Sequence, residues 1–262
     1  VKKLIRNRHG KNLSVQIDGQ ADAPVILFSN SLGTDLGMWD AQLQSLQQHY
    51  QIVRYDTRGH GRSDVINHST LQGLGEDVID IMNKLDIDQA HFCGISMGGI
   101  TGLWLGLHAS ERFKSITVAN TAAKIGQPEA WLSRAEQVRE SGLADLVRTT
   151  HSRWFSENFD HHNHALAQQT IQSLAKTRVE GYAQSCMALA EADLRADLAQ
   201  IKLPMLVICG SEDPVTTIAD GEFINLHVAQ SELIQLPASH LSNIECADLF
   251  SQTLKHFIQQ QA

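Results

Sequence analysis

The chain has 262 residues, and its 42% hydrophobic and 19% charged content excludes wholesale disorder, collagen-like sequence and a long coiled coil. Lys and Arg number 21 against 29 Asp and Glu, a formal net charge of −8 that argues against a nucleic-acid partner, since such proteins present a basic face. The longest apolar runs, Val25-Ile26-Leu27-Phe28 and Met205-Leu206-Val207-Ile208-Cys209, fall far short of the ~20 residues that cross a bilayer, so no membrane partner is expected.

In chain order, β-rich runs at 4–8 and 13–17 read as an antiparallel meander leading into a sheet. Strands follow at 24–29, 51–55, 90–95 and 115–119, with helices at 39–48, 70–85 and 97–108. The stretch Val78-Ile79-Asp80-Ile81-Met82-Asn83-Lys84-Leu85 repeats apolar residues at spacings of three and four, as a helix packed on a sheet requires. This β-α alternation predicts a mostly parallel sheet with helices on both faces. From 124 to 197 the pattern is helical throughout, with apolar periodicity at 131–139, 143–155 and 165–190. The alternation then resumes at 204–209, 218–227, 231–236 and 247–258. The expected organisation is an α/β core of residues 1–123 and 198–262, interrupted by a helical cap over 124–197. Insertions of that length between regular elements tend to carry function.

No apolar segment follows Lys2-Lys3, so no signal peptide is expected. Cys93, Cys186, Cys209 and Cys246 form no CxxC pair and read as free thiols, which points to a cytoplasmic protein. The one histidine cluster, His161-His162-Asn163-His164, has no acidic or thiol ligand at a familiar zinc spacing, and reads as a solvated loop or helix end.

The chemistry concentrates at Gly94-Ile95-Ser96-Met97-Gly98, which follows one strand and opens a helix. A serine on so sharp a turn projects its Oγ from the C-terminal edge of the sheet, and its neighbours two before and two after must be small because the arms of the turn nearly touch. Serine is a weak nucleophile unless a base lies within hydrogen-bond reach. Downstream, Gly210-Ser211-Glu212-Asp213-Pro214 leaves the C-terminal end of the 204–209 strand, and Pro237-Ala238-Ser239-His240 leaves that of the next. Catalytic groups in open α/β sheets gather at that edge. His240 is the candidate base, and Asp213 or its neighbour Glu212 the acid that orients it. An oxyanion needs two N–H donors. The Met97 amide is one candidate, and the Leu32 amide in Asn30-Ser31-Leu32-Gly33 is the other.

These residues, with Asp56-Thr57-Arg58-Gly59-His60-Gly61-Arg62-Ser63, resemble the α/β-hydrolase superfamily over essentially the whole chain. The family pattern selects Asp213 over Glu212. Within the superfamily the chain looks most like the 3-oxoadipate enol-lactonases (β-ketoadipate enol-lactone hydrolases). That resemblance rests on Ser29-Asn30-Ser31-Leu32-Gly33-Thr34-Asp35 with Met38-Trp39-Asp40, and on Gly94-Ile95-Ser96-Met97-Gly98-Gly99. It rests further on Ser239-His240-Leu241-Ser242-Asn243-Ile244-Glu245, and on Trp131 with Arg134. Many relatives carry His-Gly where this chain has Asn30-Ser31, a departure typical of the enol-lactonase group.

The resemblance implies a helical cap and hydrolysis of a five-membered enol lactone bearing an acetate arm, in bacterial aromatic catabolism. It implies a small-molecule lactone or ester carrying a carboxylate as substrate, and calls for no cofactor and no metal. The carboxylate needs a cation in a partly dry pocket, where Arg offers a bidentate fork. Arg134 is the first candidate, with Arg153 and Arg178 as alternatives. Ser31 joins the substrate-binding set, and Trp131 and Trp154 are candidates to wall the ring. The competing readings are a general carboxylesterase, a cofactor-free perhydrolase, or a ligand receptor without turnover on the same scaffold. Nothing in the sequence fixes an oligomeric state.

Overall fold

The computed structural model describes residues 1–261. Strands β1 (Lys2–Arg6) and β2 (Asn12–Gly19) pair antiparallel. The next six are β3 (Val25–Ser29), β4 (Gln51–Tyr55), β5 (Ala90–Ile95), β6 (Phe113–Ala119), β7 (Met205–Gly210) and β8 (Ser231–Leu236), which run parallel to their neighbours among them. Together they form one eight-stranded sheet in the order β1-β2-β4-β3-β5-β6-β7-β8.

Every residue of β5 and β7 is buried, as central strands covered on both faces must be. The register aligns the strand ends: Ser29 lies beside Gly94, Ile95 beside Ala119, Ala119 beside Ile208, and Gly210 beside Leu236. The loops after β3, β5, β6, β7 and β8 therefore leave from one edge. The chain passes from β3 to β4 on one side and returns to β5 on the other, so the loops after β3 and β5 flank the crevice where the strand order reverses.

The core helices α1 (Asp40–Leu46), α2 (Leu71–Lys84) and α3 (Met97–His108) follow β3, β4 and β5. Thr70 caps α2 by accepting the Gly73 amide, and Leu71, Leu74, Val78, Ile81 and Met82 form its buried face. Between β6 and β7 come α4 (Pro128–Ser141), α5 (Ala144–Thr149), α6 (His151–Trp154), α7 (Ala165–Lys176) and α8 (Val179–Glu191). The chain closes with α9 (Ile218–His227), α10 (Ser242–Glu245) and α11 (Ala247–Gln259), the last packing against α1, while α2 packs against α3. Among the described residues no helix is long and apolar enough to cross a membrane.

Several expected boundaries move. The first strand covers Lys2–Arg6 rather than 4–8, because the chain turns at Asn7, whose carbonyl accepts from Gly10 and whose amide donates to Lys11. The helix expected over 39–48 begins instead with a 3-10 turn at Leu36–Trp39, capped by the Asp35 carboxylate on the Gly37 amide. The stretch 143–155 is interrupted at Thr150, although the backbone there stays helical. The stretch 165–190 breaks at Thr177 and Arg178, both in extended conformation. That break lets the Arg178 guanidinium donate to the Ser63 carbonyl of the core.

A glycine pair sets how closely the helical insertion approaches the core. Gly59, at φ +78° in the loop after β4, meets Gly181 on α8, and a Cβ at Gly181 would stand 2.2 Å from the Gly59 carbonyl oxygen. No side chain fits that gap without moving one backbone away from the other. Gly181→Ala should therefore destabilise the fold by about 1–3 kcal/mol, the usual cost of overpacking. Urea unfolding would measure this, and an unchanged midpoint would show that the contact is not held tightly.

Candidate active site

Ser96 sits between β5 and α3 at φ +56° and ψ −113°, a region that costs a residue with a Cβ. Neighbours hold it there. Its amide donates to the Ala119 carbonyl at 2.9 Å, and Thr121 Oγ1 donates to its carbonyl at 2.7 Å. The flanking glycines are a steric requirement. A Cβ on Gly94 would lie 2.1 Å from the Gly98 carbonyl oxygen, and one on Gly98 would lie 2.2 Å from that of Ser29.

His240, after β8, lines the same cavity as Ser96. Its Nδ1 lies 2.8 Å from Asp213 Oδ2, with both side chains buried. Since that carboxylate oxygen accepts, Nδ1 carries the proton and Nε2 remains free to accept one. Among the described residues no hydrogen bond joins Ser96 Oγ to the imidazole. Such bonds often tighten only when substrate binds.

Asp213 is well satisfied. Oδ2 also accepts from Asn120 Nδ2 at 3.0 Å and Thr216 Oγ1 at 2.8 Å, and Oδ1 accepts the amides of Val215 and Thr216. Burial pushes the Asp213 carboxyl up, but the His240 charge and hydrogen bond, with those of Asn120 and Val215, outweigh it and hold it below the ordinary value. The neighbouring Glu212 is exposed; its backbone amide donates to the Ala238 carbonyl, and its carboxylate has no partner among the described residues.

Sequence reading overlooked Asn120. Its positive φ of 44° at the end of β6 turns its side chain so that Nδ2 bridges Asp213 and the Ser239 carbonyl, and Oδ1 accepts from Ser242. A buried asparagine one residue beyond a strand looks like a turn former, and only the convergence of three loops reveals what it joins.

The loop after β3 is held from two sides. Asn30 Nδ2 donates to the Tyr55 carbonyl and its Oδ1 accepts from Trp39 Nε1, both at less than 3 Å (2.8 and 2.9 Å). His60, in the glycine-rich loop after β4, accepts the Gly33 amide on Nε2 at 3.1 Å and pairs Nδ1 with the Arg58 carbonyl at 3.1 Å. Gly98 donates to the Asn30 carbonyl. With the amides of Gly33 and Gly98 thus engaged, those of Leu32 and Met97 have no protein acceptor among the described residues. Leu32 lines the cavity beside Ser96, and Met97 is the first residue of α3, where a helix leaves its amides unsatisfied.

The cavity has a volume of about 270 Å³. Ser31, Leu32, Ser96 and His240 line it from the core side, and Trp131, Arg134, Arg153, Trp154 and Tyr182 from the insertion. The Arg134 guanidinium stacks 5.1 Å from the Trp131 ring centroid. Arg178, the third arginine considered, is not among the lining residues, because its guanidinium is turned to Ser63. Tyr182 and Thr150 line the cavity without having been singled out by sequence. The insertion is also tied to the histidine loop: the Leu241 amide donates to the Trp154 carbonyl at 2.9 Å, and Glu245 accepts from both Ser156 and the Ser239 amide. Among the described residues no group of three or more His, Cys, Asp or Glu side chains is placed to hold a metal ion.

His60 must stay neutral to accept the Gly33 amide. Burial, opposed by its bond to Arg58 and reinforced by the Arg178 charge, takes its pKa from 6.5 to about 4. Burial on β5, reinforced by the Lys114 charge, takes the His91 pKa from 6.5 to about 4 as well. The unfolded chain binds protons at both between pH 6.5 and 4, whereas the folded chain does not, so stability falls as pH drops through that window. His60→Gln should remove about one proton from the slope of stability against pH there. An unchanged slope would mean that the folded protein takes up the proton at His60.

A family model described as alpha/beta hydrolase fold matches residues 24–246. The chain is 58% identical to 3-oxoadipate enol-lactonase 1 of Acinetobacter baylyi, over 98% of this chain and 96% of that protein. It is 48% identical to 3-oxoadipate enol-lactonase 2 of the same organism, over 90% of this chain and 89% of that one. Among solved structures it superposes on the enol-lactonase from Burkholderia xenovorans with a TM-score of 0.94 at 39% identity, covering 99% of this chain and 100% of that one.

Proposed function

Because this chain belongs to the α/β-hydrolase fold family, and within it groups with the 3-oxoadipate enol-lactonases, we propose that it opens the ring of 3-oxoadipate enol-lactone to give 3-oxoadipate. The observation that carries this reading is a single cavity lined at one end by Ser96 and His240 and elsewhere by two arginines with no acidic partner among the described residues. A serine nucleophile and unneutralised guanidiniums in one cavity suit an ester that also carries a carboxylate.

In the first half of the reaction Ser96 Oγ attacks the lactone carbonyl carbon while His240 Nε2 takes the hydroxyl proton. Asp213 keeps the imidazole in the required tautomer and stabilises the imidazolium. The Leu32 and Met97 amides receive the developing oxyanion, and losing one such donor typically costs ~3–4 kcal/mol of transition-state stabilisation. The ring C–O bond then breaks. The departing enolate oxygen takes the proton from His240, leaving an acyl-enzyme that carries the enol. An enolate is a better leaving group than an alkoxide, and ketonisation of the enol draws the reaction forward. In the second half His240 deprotonates a water, which attacks the acyl carbon, and the Ser96 oxygen takes that proton from His240 as the carboxylic acid leaves and ionises in water.

The arm's carboxylate is assigned to Arg134, whose guanidinium plane is steadied by Trp131. Trp154, buried on α6, walls the ring, and Ser31 lines the cavity beside the oxyanion donors. The free thiols at Cys93, Cys186, Cys209 and Cys246 support a reducing, cytoplasmic setting.

Loss of enol-lactone ultraviolet absorbance tests the assignment. Ser96→Ala should reduce turnover by on the order of a millionfold. Asp213→Asn should reduce it by ~10⁴ with the fold intact, because the imidazole would sit in the wrong tautomer. A loss below tenfold would move the orienting role away from Asp213. Arg134→Ala should raise KM for the lactone by about tenfold or more while changing hydrolysis of a neutral aryl ester far less. Equal losses on the two substrates would place Arg134 in the packing of the helical insertion instead.

A further inference from the structure

Thr150 closes α5 and lines the cavity. It is 1% exposed, and its hydroxyl is buried without a hydrogen-bond partner. Three threonines within helices, on α3, α5 and α7, satisfy themselves on the carbonyl four residues back: Thr101 on Met97, Thr149 on Asp145, and Thr170 on Leu166. Thr150 has helical backbone angles, so the Leu146 carbonyl lies four residues back, where it accepts from Thr149 Oγ1 at 3.4 Å, and the Thr150 hydroxyl does not turn to it. Of the six buried side-chain polar atoms without a partner among the described residues, Thr150 Oγ1 alone belongs to a residue lining the cavity. An orphaned buried hydroxyl costs free energy unless something else meets it, and the cavity that Thr150 lines is the adjoining space from which a partner can come.

Arg153 lies one helical turn further on, so it shares a face with Thr150. It is half-buried and lines the same cavity, and its guanidinium has no acidic or hydrogen-bonding partner among the described residues. Burial and then the charge of Arg134 lower its pKa, so the two guanidiniums act on each other across a partly dry space. Two cations so placed repel until an anion sits with them. A carboxylate has about four lone-pair sites, more than a single guanidinium fork fills, and leaving water requires replacing most of those bonds.

We propose that Thr150 and Arg153 form a second arm of the carboxylate subsite, opposite Arg134, so that the free carboxylate of the substrate is gripped from two separate helical segments. The Thr150 hydroxyl donates to a carboxylate oxygen, and the Arg153 guanidinium supplies the second charge. The occupant is the short anionic arm of the ester, and the site selects for an ionised arm over a neutral one. Thr150 is a positioning residue for binding, not a catalytic residue. The inference rests on the lactone reading of this cavity, because it takes the arm from that substrate.

The test uses Thr150→Val, which keeps the shape and removes the donor, and Thr150→Ser, which restores it. Each variant is assayed with the enol lactone, with an aryl monoester of a short dicarboxylic acid, and with a neutral aryl ester. Thr150→Val should raise KM for the lactone by about tenfold with a much smaller change in kcat, and lower the preference for the carboxylate-bearing aryl ester by a similar factor. Thr150→Ser should recover most of that preference. Arg153→Gln should lower the same preference further. A Thr150→Val protein that loses equally on both aryl esters, or loses nothing, overturns the proposal, and the hydroxyl then serves packing or a water. The two readings separate cleanly. If wild-type protein ignores the lactone but prefers the anionic aryl ester in a Thr150-dependent way, the subsite stands and the lactone assignment falls. If it opens the lactone with a KM that Thr150→Val leaves alone, the lactone assignment stands and the subsite falls.

Discussion

The close passage of two backbones at Gly94 and Gly98 is the constraint on which the site depends. A Cβ at Gly94 would come within 2.1 Å of the Gly98 carbonyl oxygen, so only glycine lets β5 turn into α3 within one residue. That turn forces Ser96 into a positive φ and presents it at the sheet edge, while Ala119 and Thr121 of the neighbouring strand end secure its peptide groups. The strain is sustained because the turn leaves β5, a wholly buried central strand, and is held by those hydrogen bonds. The position that the proposed mechanism asks of this serine follows from geometry that the backbone imposes, and its activation from the partner residues.

The remaining groups reach the serine because parallel register brings their strand ends into line. Asp213 follows β7 and His240 follows β8, and adjacent pairing of those strands sets the carboxylate behind the imidazole at 2.8 Å. Asn120, after β6, then joins the two loops through Asp213 and the Ser239 carbonyl. On the other side of the switch point, His60 fixes the loop that carries Leu32, through the Gly33 amide. The glycine-rich segment after β4 thus has a structural part that bears on the proposed oxyanion donors, and its residues are not among those lining the cavity.

The helical insertion supplies what the sheet lacks. Its arginines and tryptophans turn an open edge into a walled, cationic cavity, and the carbonyls of its Trp154 and Arg153 accept from the residues on either side of His240, the Leu241 amide and the Ser239 hydroxyl. The Gly59–Gly181 approach and the Arg178–Ser63 hydrogen bond hold the insertion close to the core. A cation on such an insertion acts on substrate selection rather than on bond breaking, which is why arginine substitutions are expected to separate anionic from neutral esters.

The sequence by itself determined the α/β alternation, the place of the insertion, the Ser96 and His240 candidates and the Glu212-Asp213 pair, because each is written in local signals, while the family resemblance chose Asp213 from that pair. Periodicity marks the elements, flanking glycines mark the elbow, and a polar loop after an apolar strand marks the sheet edge. Helix breaks at Thr150 and at Thr177 were illegible, since both lie within continuous apolar periodicity and end for reasons of contact. Only the tertiary structure decided which arginines face the cavity, turning Arg134 and Arg153 inward and Arg178 toward Ser63, because the direction of a long side chain depends on the surface packed opposite it. Asn120, His60 and Thr150 likewise took on meaning only there: a hydrogen-bond partner distant in sequence, or the want of one, is a property of the folded chain and leaves no local trace.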